Sequence, residues 1–153
     1  MKKSDQPFDL PIQTLGFFIH RAYYTMVKML NKEMKMRGLN LQHSDFAILL
    51  VLNEVGSASQ TQLSSLQGKE RSGVSRSLVA LEKEGYIERL PLDGKTNLVK
   101  LSQKGKDLMP ELQEIGKSIT NNAFKGFDSR SRYSTINKLT KIYQNGKAFL
   151  EKD

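Results

Sequence analysis

Between Arg71 and Glu84 the sequence RSGVSRSLVALEKE orders short hydroxyls and cations in a way that suits hydrogen bonding to a polyanion. At 100° per residue, Val74, Leu78 and Leu81 share one face of a helix. Ser72, Arg76, Val79 and Lys83 fall about 140–180° away from Val74, with Ser75 on one flank and Gly73 on the other. Serine bonds bases or phosphates, and arginine grips guanine through two parallel hydrogen bonds. Gly73 permits close approach of another backbone, and the helix start favours phosphate. Thr61 and Arg71, at the starts of two successive short helices, complete this candidate set. The alternative is an ordinary amphipathic helix with a solvated face.

Other chemistries find little support. The 153 residues contain no cysteine, which removes disulfides, thiolate metal ligands, thiol sensing and cysteine nucleophiles. The two histidines, His20 and His43, lie far apart with no carboxylate spacing that suggests a metal site, and no cofactor is implied. There is no Gly-x-Ser-x-Gly elbow and no Gly-rich phosphate loop, so an enzyme is not expected. Lys and Arg number 24 against 16 Asp and Glu, a net charge of +8 spread along the chain. That balance favours a nucleic-acid partner. No apolar run approaches the roughly 20 residues of a membrane span. No secretory signal is visible at the start, and a cytoplasmic protein is expected.

The elements that must hold the Ser72–Lys83 face follow from periodicity. Pro11 suits a first helical turn. Ile12, Leu15, Ile19, Ala22, Met26 and Leu30 then make one stripe on a long helix, ended by Arg37-Gly38. The run FAILLVL (46–52) is apolar on every side; its polar flanks favour an enclosed helix from Ser44 to Val55 over a strand. Ser59 and Gln62 have capping-box spacing and open a short helix through Leu63 and Leu66, broken at Gly68. The Arg71–Glu84 helix follows and Gly85 stops it. Residues 86–90 and 97–101 read as strands joined by PLDGKT, a hairpin with Asp93-Gly94 as its turn. Ser102 caps a helix carrying Leu108, Leu112, Ile115 and Ile119, with a bend expected at Pro110 and Gly116. A break over 124–131 precedes a last helix with Tyr133, Ile136, Leu139, Tyr143 and Leu150.

Two short helices and a hairpin make a winged helix-turn-helix, whose second helix enters the major groove. The fold class is therefore mainly α with a small β-hairpin wing, between long N- and C-terminal helices. At the wing, Lys95 supplies a cation for the minor groove beside a small turn, with Arg89, Asn97 and Lys100 nearby. A plain hairpin turn explains Asp-Gly-Lys equally well.

LNLQHSDFAILLVL, QTQLSSL, GVSRSLVALEKEGYIER and LDGKTNLVKLSQKG together resemble the MarR (multiple antibiotic resistance) family of bacterial winged-helix transcription regulators, over about residues 12–150. The resemblance implies a single domain over 1–153. Within it, 39–104 would form the DNA-binding part, and 10–38 with 105–153 a helical dimerisation part. It also implies a homodimer facing a pseudo-palindromic double-stranded operator. The family wing usually carries Asp-x-Arg; here it is Asp93-Gly94-Lys95, which keeps the charge and loses the guanidinium fork. Where threonine often caps the second helix, this chain has Gln42. Members often bind small aromatic molecules, for which Phe17, His20, Tyr23, Tyr24 and Phe46 are the candidates; core or interface positions are the alternative. The expected function is a sequence-specific DNA-binding regulator, a ligand-responsive repressor, against the alternative of a winged-helix module for non-specific DNA or protein contact.

Overall fold

The structure is a computed structural model and describes residues 14–67, 71–91 and 97–151. The chain separates into two compact units, one up to Ile119 and one from Thr120 onward, each described by itself.

The first unit opens with α1 (Leu15–Met36), followed by α2 (His43–Val55), β1 (Ser57–Ser59), α3 (Gln60–Gln67), α4 (Arg71–Lys83), β2 (Ile87–Pro91), β3 (Asn97–Leu101) and most of α5 (Gln103–Ala123). The expected helical start at Pro11 and the stripe residue Ile12 lie outside the described residues. In α1 only Leu30 and Met34 are buried; Leu15, Ile19 and Met26 stay exposed. The FAILLVL segment is helical as expected, with Phe46, Ile48, Leu49 and Leu52 buried. The Gln42 backbone N–H donates to Asp45 Oδ2 at 2.8 Å, so an acid three residues on secures a helix start that lacks threonine.

Phe46 is only 7% exposed and belongs to the core, its ring lying against Gly116 on α5. A fully apolar run at the centre of the fold buries its aromatic member with the rest. Around α2 pack Leu63 of α3, Val74, Leu78 and Leu81 of α4, Val99 and Leu101 of β3, and Met109, Leu112 and Ile115 of α5. Each such side chain contributes about 1.5–3 kcal/mol by leaving water.

β2 and β3 form the expected antiparallel hairpin, in register from Ile87↔Leu101 to Pro91↔Asn97. The sheet has a third member, in the order β1-β3-β2. β1 pairs through Ser57↔Lys100, Ala58↔Val99 and Ser59↔Leu98. Three small residues carry no alternation that would announce a strand. They are recruited because β3 offers a second edge, and Ala58 is buried against the core.

α5 runs unbroken through Pro110 and Gly116. Arg37, at the end of α1, donates to Glu114 Oε2 of α5 at 3.0 Å and to Glu33 at 3.2 Å. These bonds, the Glu114 one foremost, raise its already high pKa.

In the second unit α6 spans Ser129–Leu150. The break before it is shorter than expected. Gly126 takes φ +88, and Asp128 Oδ1 accepts the Ser131 N–H at 2.7 Å, starting the helix at Ser129 rather than after Ser131. No α6 residue is buried.

Candidate nucleic-acid interface

The helix pair α3–α4 is built by local capping and then locked to its surroundings. Ser59 N–H donates to Gln62 Oε1 at 2.8 Å and Gln62 N–H to Ser59 Oγ at 3.2 Å, the reciprocal box read from the sequence. Two bonds link α3 to the start of α4. Arg71 Nη2 donates to Thr61 Oγ1 at 3.0 Å, and Gln60 Nε2 to the Arg71 carbonyl at 3.2 Å. Thr61 and Arg71 are thus brought together. Gln60, which sequence reasoning missed, belongs with them; a polar residue in a first helical turn gives no signal of so distant a partner.

On α4 the inner stripe Val74, Leu78 and Leu81 is at most 1% exposed. Ser77 is buried as well and donates from Oγ to Ser44 Oγ at 3.0 Å, fastening α4 to α2. On the opposite side Ser72, Arg76, Val79 and Lys83 are exposed in one row, flanked by half-buried Gly73 and Ser75. Neither Arg76 nor Lys83 has a carboxylate partner among the described residues. A Cβ on Gly73 would meet nothing within 4 Å. Nothing among the described residues therefore requires glycine there.

The hairpin is different. Arg89 Nε donates to Glu82 Oε2 of α4 at 2.8 Å, and Lys100 Nζ lies 3.3 Å from Glu88 across the β2–β3 register pair. These two cations, counted beside the wing tip, are held by carboxylates at its base. Arg89 is seven residues from Glu82, and only the fold brings them together. Asn97 is exposed at the start of β3; Lys95 and the turn lie outside the described residues.

The hairpin is anchored where α5 begins. Ser102 Oγ accepts the Gly105 N–H at 3.0 Å and donates to the Gly85 carbonyl at 2.6 Å, while Ser102 N–H donates to the Tyr86 carbonyl at 3.0 Å. Lys104 Nζ donates to the Glu84 carbonyl at 2.6 Å and lies 4.4 Å over the Tyr86 ring. Gly105 is required here, because any Cβ would strike the Tyr86 carbonyl oxygen.

The α1 rings form a row at the surface, whereas Phe46 is buried. His20 stacks on Tyr24 with centroids 6.1 Å apart, and Tyr23 meets His43 edge-on at 5.6 Å. Phe17 lies under the Arg21 guanidinium and Tyr24 under the Lys28 ammonium. Among the described residues no group of His, Asp and Glu could hold a metal ion, and no helix is long and apolar enough to cross a membrane.

Residues 37–95, from the end of α1 to the wing, match the model of the MarR family. An HTH-type transcriptional regulator of Bacillus subtilis, YxaD, itself uncharacterised, is 32% identical over 73% of this chain and 76% of its own length. A MarR transcriptional regulator from Methanosarcina mazei Go1 superposes with a TM-score of 0.80 at 26% identity, covering 88% of this chain and 90% of that one. A mutant MarR from E. coli complexed with operator DNA has the same fold, with a TM-score of 0.75 at 21% identity over 84% of this chain and 92% of that one. These relatives are regulators rather than enzymes. The chain belongs to the MarR family of transcriptional regulators.

Proposed function

We propose that this protein is a cytoplasmic, non-enzymatic repressor that binds a pseudo-palindromic operator as a homodimer, laying α4 of each subunit in the major groove. The observation that carries this is the row Ser72, Arg76, Val79 and Lys83, exposed opposite the buried stripe of α4, with its two cations free of carboxylates among the described residues. Arg76 and the serines read base edges or position phosphates, and Lys83 adds to the attraction for the backbone. Asn97 and Lys95 carry the wing contacts, and Gly73 lets the duplex close on the helix. Thr61 and Arg71, bonded to one another, present their remaining capacity at the start of the same surface.

Exposed apolar residues support the dimer. α1 leaves Leu15, Phe18 and Tyr23 in solvent. α6 leaves Tyr133, Leu139, Phe149 and Leu150 there, Leu150 being 77% exposed. A second copy covers such surface at a gain of about 25 cal/mol per Å². The row Phe17, His20, Tyr23 and Tyr24 is where a small aromatic effector would stack.

The test is a footprint and gel shift on DNA upstream of the protein's own gene, with excess random competitor. Protection of one inverted repeat, lost in Arg76→Ala and weakening steeply with salt, is the expected result. Shifts that competitor abolishes equally for every sequence would leave only a non-specific DNA-binding module. Release of bound operator by small phenolic acids, abolished in Tyr24→Ala, checks the effector.

A further inference from the structure

We infer that Val79 reads the 5-methyl group of a thymine in each half-site, so that a thymine beside the base pair contacted by Arg76 is required for tight binding. This rests on the placement of α4 in the major groove proposed above. Val79 is 58% exposed, although it is the only large apolar side chain in a row otherwise made of Ser72, Arg76 and Lys83. It therefore does not extend an apolar patch along that row. A β-branched residue on an exposed helical face lowers helix propensity and returns little burial. Nothing in the packing of the described residues asks for valine there.

A partner does. Among the groups that base pairs display in the major groove, the thymine 5-methyl is the apolar one. Valine makes no hydrogen bond, so over a cytosine it would leave the amino group unpaired, at a penalty that discriminates against that base. Its stiff χ1 holds the two methyls in place without further ordering. Arg76 and Val79 are three residues apart, about 4.5 Å along the helix axis, against about 3.4 Å per base step. The two side chains thus reach base pairs one to two steps apart.

The full-length protein is used to select operators from a random duplex pool. Each thymine of the selected site is then replaced singly by deoxyuridine, which removes only the methyl. We expect one thymine per half-site at which this weakens wild-type binding about threefold to fivefold, and about tenfold or more when both half-sites are changed. Val79→Ala, expected to melt no lower than the wild type, loses that sensitivity, and Val79→Thr keeps part of it. Arg76→Ala keeps the thymine effect while losing its guanine. A selected site at which wild type and Val79→Ala show the same response to every uracil overturns the inference and leaves the operator reading standing. If the wild type enriches no sequence, the operator reading fails first and the inference falls with it.

Discussion

The outer face of α4 and the β2–β3 hairpin both carry cations that the sequence offers to DNA, and the fold treats them in opposite ways. On α4, Arg76 and Lys83 stand clear of carboxylates among the described residues. On the hairpin, Arg89 is spent on Glu82 and Lys100 on Glu88. The cations of the first region are left open among the described residues; those at the base of the second are paired within the chain. A positive charge in a DNA-binding unit is thus no sign of a DNA contact until its nearest acid is known.

The largest effect that would break this contrast is expected at the hairpin's anchor. Gly105→Ala forces a methyl against the Tyr86 carbonyl. It should cost roughly 3 kcal/mol, a fall of about 10 °C in Tm. A variant melting with the wild type would show the anchor to be pliable.

Next comes Arg76→Ala, predicted to lose tenfold to a hundredfold in affinity for the specific site. Circular dichroism and Tm should not change, because its exposed side chain has no carboxylate partner among the described residues. Equal affinity for the selected operator would remove Arg76 from base reading.

A smaller effect sharpens the hairpin side. Arg89→Ala and Glu82→Ala should each lower stability by about 0.5 kcal/mol, since both side chains are partly in solvent. The double variant should lose little more than either single one. If Arg89→Ala instead weakens DNA binding far more than Glu82→Ala does, Arg89 is a contact and the contrast with α4 disappears.

The smallest effect lies at α6. The Ser131 N–H bond holds the Asp128 carboxyl below the ordinary aspartate range. Its capping contribution is present above the unfolded value and is lost as pH falls through the folded one. An NMR titration should give a midpoint below that of a free aspartate, and Asp128→Asn should remove this dependence while keeping the cap.

What was legible in the sequence was whatever is decided within one or two helical turns. The Val74–Leu78–Leu81 stripe, the Ser59–Gln62 box and the Ser102 cap all follow from residues three or four apart. What was not legible depends on partners supplied by the fold. β1 exists because β3 has an open edge, and Gln60 matters because α4 begins beside it. Phe46 reads as one more ring near an aromatic helix until α5 closes over it. α6 starts earlier than the apolar pattern from Tyr133 announces, because the Asp128 side chain caps a first turn that carries no apolar residue. The placement of the α4 cations was foreseen because it is a matter of helix phase; the neutralisation of Arg89 was not, because Glu82 is on another element.

β1 has one last bearing on what this protein can grip. It leads directly into α3 while pairing with β3, and Arg89 joins β2 to α4. Helix pair and hairpin are therefore ruled to one another at a fixed gauge. On the proposed reading, B-form DNA offers a wide groove to α4 and a narrow one beside it to the hairpin. The A-form duplex of RNA, whose major groove is deep and narrow, would turn away one of the two whenever the other was seated.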